Sequence, residues 1–414
     1  MGKVQRVTAV ISVIVILALA AVLGLFLWRE SGRKAGPDED GKVNGAQANA
    51  GGSSVKLEDK TGGDLNENGS EGVNKAVGDG NGSLSGDKTG DGEKDKPGSQ
   101  VSAIQDATMV FTGDVMMGSA VRGNYDSRGI DGILSEYLKN EMVNADITMI
   151  NQEFPFSTRG TPMANKQYTF RVDPSYLAAF GDMGVDVVSL ANNHALDYGE
   201  DALLDTFQSL DGAGIPYAGA GETKERAEQP ILLERGGRTV GVLSASRVIP
   251  VVSWNIENRQ PGMFCTYDST ALVAAIKKVR QQCDYVVVYV HWGVERTNHP
   301  VDYQRALAKA YIDAGADLVV GSHPHVPQGI EYYQGKPIVY SLGNFIFNPN
   351  MASTYMLKVL WKESGESVLT VIPVATAGAK TRELTGQEGA DMLRFIEEIS
   401  YGVAIDENGI VTQK

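Results

Sequence analysis

The chain has 414 residues, enough for one large domain or two, and carries a formal net charge of −14. That acidity, with no Lys/Arg stripe from residue 107 onward, excludes a nucleic-acid binder, which needs basic groups along a phosphate backbone. Two cysteines, Cys265 and Cys283, are too few for a disulfide framework, and Cys283 opens an apolar run where a buried free thiol is common.

Residues 1–6 carry Lys3 and Arg6 and precede an uninterrupted apolar run at 7–28, VTAVISVIVILALAAVLGLFLW. At about 1.5 Å per residue this run spans a bilayer. It also exceeds the ~7–15 apolar residues of a cleaved signal peptide. Basic residues lie on both sides, with Arg29, Arg33 and Lys34 following the run. The expectation is a signal anchor: a cytoplasmic tail at 1–6, one transmembrane helix at 7–28, and the rest of the chain outside the cell membrane.

Residues 29–105 contain no aromatic side chain and are rich in Gly, Asp, Asn, Lys and Ser. Such a stretch buries too little apolar surface to offset chain entropy, so it is expected to be a disordered linker. Its reach would be on the order of 50 Å. An ordered domain is expected over 106–400, with 401–414 as a frayed C-terminal tail.

Within that domain, 108–113 (TMVFTG) reads as a buried strand running into Asp114, and 115–129 (VMMGSAVRGNYDSRG) as a loop. Residues 130–142 place Ile133, Leu134, Tyr137 and Leu138 at helical spacing. A strand at 146–151 leads to Glu153, and the FPFSTRGTPMANKQYTFR segment after it is expected to form a lid or substrate wall, or else a packed connector. Asp173-Pro174 starts a helix. A strand at 185–191 runs into Asn192, Asn193 and His194, followed by a helix at about 200–210 that Gly212 and Gly214 stop.

Residues 231–244 carry a two-glycine hairpin signal. A helix at 269–280 leads into a strand at 284–290 that ends in His291. Another helix at 303–314 leads into the stretch ADLVVGSHPHVPQG at 316–329, which carries His323 and His325. These two consecutive strand-helix-strand steps imply a layered α/β sandwich. Runs at 330–333, 338–342, 355–361 and 368–374 then read as a second, antiparallel sheet, with a last helix at 390–399.

The functional signal is the repeated ending. Five apolar runs each finish in a residue able to bind a metal, and strand ends in α/β proteins line the crevice where ligands sit. Carboxylate, imidazole and amide-oxygen donors without thiolate suit Mn, Fe or Zn. Two such ions about 3.5–4 Å apart activate a water and neutralise charge on a phosphoryl group. An unligated His can protonate the leaving oxygen, and His194 is placed for that role. Glu295 and Arg296, after the His291 strand, are candidate substrate contacts. His299, the fifth histidine, reads as a surface loop residue.

The motifs FTGDVMM around Asp114, NQE at Asn151 to Glu153, SLANNHALDYG, VHWG, GSHPH and SLGNF span about 109–346 in order. Together they resemble the CapA family of poly-γ-glutamate capsule proteins, whose domain is similar to calcineurin-like metallophosphoesterases. The resemblance implies a four-layer α/β/β/α sandwich after the anchor and linker. It also implies Asp114 and His325 on one ion, Asn193, His291 and His323 on the other, Glu153 bridging, His194 near substrate and Asn344 in a site-facing turn. Two positions depart from most metallophosphoesterases: Met116 stands where Asp-x-His has its His, and Glu153 where an Asp bridges.

The function so implied is synthesis or export of a poly-γ-glutamate or capsule polymer, beside other membrane proteins of that system and with an anionic polymer or phosphoester as ligand. Active hydrolysis of an envelope substrate is the alternative. A fold-only role would not require four histidines at strand ends.

Overall fold

The computed structural model describes residues 104–347 and 349–414. The expected anchor at 7–28 and nearly all of the linker lie outside them. Among the described residues no helix is long and apolar enough to cross a membrane.

The chain first lays down half of one sheet. Strand β1 (Ala107–Val115) is followed by α1 (Ser119–Arg128), a 3-10 turn and α2 (Glu136–Val143), then by β2 (Ile147–Gln152). Helix α3 (Ala178–Asp182), β3 (Val187–Ser189), α4 (Glu200–Ala213) and β4 (Tyr217–Ala218) complete it, with β1 to β4 parallel and adjacent. Local signals set the helix ends. The Ser135 hydroxyl accepts from the Leu138 amide at the start of α2, Asp173 caps the turn before α3, and Gly214 at φ 68 closes α4 in the left-handed conformation.

Short β5 (Ala220–Gly221) and α5 (Lys224–Glu228) lead to β6 (Ile231–Arg235) and β7 (Arg238–Ser246). These two form the expected hairpin, with Gly236 and Gly237 both at positive φ as a tight turn of matching twist requires. Then come β8 (Gly262–Met263), which pairs with β5, and α6 (Thr270–Val279), β9 (Tyr285–His291), α7 (Asp302–Asp313), β10 (Leu318–Ser322), β11 (Gln328–Tyr333) and β12 (Lys336–Ser341). The second sheet has the order β11-β12-β10-β9-β7-β6, parallel except at its two edges.

The remaining strands differ from the expectation of a separate antiparallel sheet. β11 and β12 join the second sheet. β13 (Asn344–Ile346), β14 (Met351–Trp361), β15 (Ser367–Ala377) and β16 (Lys380–Glu383) return to the first, on the far side of β1 from β2. After α8 (Gly386–Glu398), residues 401–414 are not a frayed tail. They form β17 (Val403–Ile405) and β18 (Ile410–Gln413), which extend the first sheet beyond β15. The segment expected as a loop after Asp114 contains α1, whose buried residue is Val121; a helix that buries so little leaves almost no apolar periodicity to detect.

Side-chain alternation builds the layers. Met109, Phe111, Met149 and Val187 of the first sheet meet Val287, Tyr289, Leu318 and Val320 of the second in one buried cluster. Their sequence neighbours Val110, Ile150 and Val188 point the other way, onto Leu138, Phe180, Leu203 and Phe207 of α2 to α4. Val286, Val288 and Val319 likewise point away, onto Leu272, Ile276 and Tyr311 of α6 and α7. With helices on both outer faces and two sheets facing each other, the domain is an α/β/β/α sandwich. Its parallel strands are buried on both faces, which is why they read as continuous apolar runs.

Candidate metal centre

Because β1, β2, β3 and β4 are parallel, and β7, β9 and β10 are parallel, each group delivers its last residues to one sheet edge. Asp114 is the penultimate residue of β1, Glu153 follows β2, Asn193 and His194 lie just past β3, His291 ends β9, and His323 follows β10. All six are brought to one place.

Asp114, fully buried, lies 3.2 Å from His325 Nδ1, and the His323 amide points at the same carboxylate oxygen from 3.4 Å. Asn151 Nδ2 donates to Asp114 Oδ1 at 2.9 Å and to Glu153 Oε1 at 3.1 Å. His291 Nε2 lies 2.9 Å from Asn193 Oδ1 and 3.5 Å from Glu153 Oε1, while Ser322 Oγ holds its Nδ1 at 3.1 Å. The His291 and His323 ring centres are 4.7 Å apart. Ligand atoms of Asp114, Glu153 and His325 all fall within 4.8 Å of one another, and so do those of Glu295, His323 and His325.

Among the buried side-chain atoms of the described residues that have no partner are two of the expected ligands, Glu153 Oε2 and His323 Nδ1. An orphaned buried carboxylate oxygen or ring nitrogen costs about 1–3 kcal/mol or more. A divalent cation resolves both, so the residues fit the metal that the donor set implies. His323 and His325 also sit at φ 98 and 59, a left-handed backbone that non-glycine residues adopt at a cost of about 1–3 kcal/mol. The HPH turn therefore holds its imidazoles in place against local preference.

The electrostatics agree. Burial pushes the Glu153 carboxyl well above its ordinary range, and the nearby Asp114 charge pushes further in the same direction. Burial alone would lower His325, but its hydrogen bond to Asp114 and the charges of Glu153 and Asp114 outweigh that and raise it to about 10. Burial alone would raise Asp114, but the hydrogen bond and charge of His325, helped by the Asn151 amide and His323, hold it below its usual value. Burial, then the neighbouring imidazoles, push His291 well down and His323 to about 4, so both are neutral donors at pH 7.

Metal uptake therefore displaces the proton from His325, and apparent affinity is expected to rise with pH up to about pH 10. Calorimetric titration of Mn2+ in two buffers of different ionisation enthalpy reads the released protons directly. Equal heats in both buffers would contradict this charge assignment.

His194 sits beside this cluster, buried, with Nδ1 2.7 Å from Asp197 Oδ2 and 3.0 Å from Lys166 Nζ. Lys166 also pairs with Asp197 and donates to the Asn193 carbonyl. Phe170 stacks against the His194 ring at 4.4 Å. The segment after Glu153 is thus neither a remote lid nor a plain connector, since it carries Lys166 and Phe170 onto the histidine.

Asn344 accepts from His325 Nδ1 at 2.8 Å, so its amide is committed to orienting a ligand rather than facing open space. Glu295 and Arg296 are exposed at the mouth, as is His299 farther along that loop. Met116 packs into the core cluster beneath the first sheet. Cys265 and Cys283 are buried free thiols, the former pushed up to about 12 by burial.

Sequence reasoning missed Asn151, Asn192, Asp197, Lys166 and Ser322. Asn192 Nδ2 donates to Asn151 Oδ1 at 3.1 Å, and Asn192 Oδ1 accepts from the His194 amide at 3.0 Å, so the two asparagines lock the NQE and NNH turns together. The polar residue beside each motif ligand was the available signal. For Lys166 there was none.

The α/β/β/α layering and the carboxylate, imidazole and amide donors at its strand ends define a metallophosphoesterase-like protein. The family model described as bacterial capsule synthesis protein PGA_cap matches residues 108–349, more than half of the chain, and the chain belongs to that family. It is 32% identical over 269 residues to the "PGA biosynthesis protein CapA" of Bacillus subtilis, covering 64% of this chain and 70% of the relative. It is 33% identical over 280 residues to the "Capsule biosynthesis protein CapA" of Bacillus anthracis, covering 64% and 67%. Among solved structures, a hypothetical protein from Thermus thermophilus aligns over 65% of this chain and 99% of its own, at 16% identity and a TM-score of 0.41.

Proposed function

We propose that the chain is a membrane-anchored, externally displayed component of poly-γ-glutamate or capsule polymer synthesis or export, working through a divalent-metal site. The carrying observation is that the family match at 108–349 contains every strand-end donor from Asp114 to Asn344. The names of the Bacillus relatives support the process. The apolar run at 7–28 supports the anchor.

Asp114, Glu153, Asn193, His291, His323 and His325 would hold one or two ions of Mn, Fe or Zn. When bound, such ions polarise an anionic group and lower the pKa of a water. The chain itself is acidic, so the positive charge for an anionic polymer or phosphoester would come from the bound metal, with the exposed Arg296 as a further contact. His194, oriented by Asp197, is the group able to hold or pass a proton at the ligand.

This last arrangement supports hydrolysis of an envelope phosphoester as a second reading. His194→Ala should keep the metal, since His194 is no ligand, and lower any phosphodiester turnover by about 100-fold or more. In the parent organism, Glu153→Gln or His291→Ala should sharply reduce surface polymer while the protein stays in the membrane fraction. Unchanged polymer with either variant would remove the assembly reading.

A further inference from the structure

The loop after β9 is pinned to the metal-binding turn. The Gly293 amide donates to the Tyr303 hydroxyl at 2.7 Å. The Arg296 amide donates to the Pro324 carbonyl at 2.8 Å, and Pro324 is the residue between His323 and His325. Asn298 Nδ2 donates to the Pro327 carbonyl at 2.9 Å, a second tie between the loop and that turn. Arg296 itself stands at φ 60, a strained conformation for a non-glycine residue. The backbone carrying Glu295 is therefore fixed relative to the two histidines.

The Glu295 carboxylate has no hydrogen bond or ion pair among the described residues. It lies with ligand atoms of His323 and His325 inside 4.8 Å. His323 is 5% exposed and its Nδ1 is without a partner. A carboxylate on a pinned backbone beside an unpartnered, buried imidazole is a donor set for a divalent ion.

We infer that Glu295 is a metal ligand: it closes the solvent side of the centre with His323 and His325, opposite the buried pair Asp114 and Glu153. The inference rests on the metal-site reading above and assigns Glu295 to the metal rather than to substrate. The protein donors of the centre then come from both sheets and include three carboxylates. That third charge brings the protein's acidic ligands closer to balancing two divalent ions. It also restores the donor count lowered by Met116. Because Glu295 is exposed, an ion held there would exchange more readily than one held by the buried pair.

The test is calorimetric titration of Mn2+ into the detergent-solubilised full chain, with elemental analysis after dialysis, for the unaltered protein, Glu295→Gln and Asp114→Asn. Glu295→Gln keeps the size and removes the charge, and its metal-free melting temperature should be unchanged. The expected result is at least about a tenfold loss of Mn2+ affinity at one site, with that equivalent lost on dialysis. Asp114→Asn should weaken the inner position instead. Wild-type affinity and metal content in Glu295→Gln would overturn the inference while leaving the metal centre standing. An unaltered chain that takes up no Mn, Fe or Zn would overturn the metal-site reading and this inference together.

Discussion

His325→Ala is expected to strip the domain of its metal. His325 belongs to both sets of converging donors, with Asp114 and Glu153 on one side and Glu295 and His323 on the other, so its loss weakens every position at once. It also removes the cationic partner that keeps buried Asp114 ionised beside Glu153. The two carboxyls then compete for one charge, and an added metal meets a partly protonated pair. The side chain reaches solvent, at 20% exposure, so water can enter the space that truncation leaves and the fold should survive.

Elemental analysis should fall from about one or two equivalents to well below one. The stabilisation by saturating Mn2+, about 2.7 kcal/mol at a hundred times the dissociation constant, should vanish from thermal unfolding curves. His299→Ala, on the exposed part of the same face, is the matched control and should behave as wild type. Full metal retention in His325→Ala would show that the imidazole serves only to position Asp114.

The other large effect is steric. A Cβ on Gly113 would lie 1.7 Å from the Gly343 carbonyl oxygen and 2.8 Å from its carbon, both backbone atoms that cannot rotate away. That carbonyl accepts the Asp114 amide at 2.9 Å, and Gly343 itself needs φ 74. The close approach is what brings the turn carrying Asn344 against β1, and Asn344 in turn holds His325. Gly113→Ala must push the turn off the strand, and a loss of about 3 kcal/mol or more is expected, with metal affinity falling alongside. By contrast, Gly123 in α1 has nothing within 4 Å of an added Cβ. Gly123→Ala should be neutral or stabilising by up to about 1 kcal/mol. Chemical denaturation of the two variants separates these cases, and similar stability in both would contradict the packing at Gly113.

Much of this centre is legible in the sequence because each of its main donors lies within a few residues of an apolar strand. A parallel strand buried on both faces announces itself locally, and the residue that ends it must emerge at the sheet edge. Asp114, Glu153, Asn193, His194, His291 and His323 follow from that rule, as do the β6-β7 hairpin and the helices α4, α6 and α7. What the sequence does not carry is which strands become neighbours across long stretches of chain. β14 and β15 read as strands, yet only packing decides that they flank β1 rather than form their own sheet, and that β17 and β18 complete the edge. The same holds for Lys166, and for the metal-facing role of Glu295, which the sequence suggests only as a substrate contact. Each is an ordinary charged loop residue until tertiary hydrogen bonds bring its segment to the histidines, because hydrogen bonds between distant segments leave no periodic trace in the sequence.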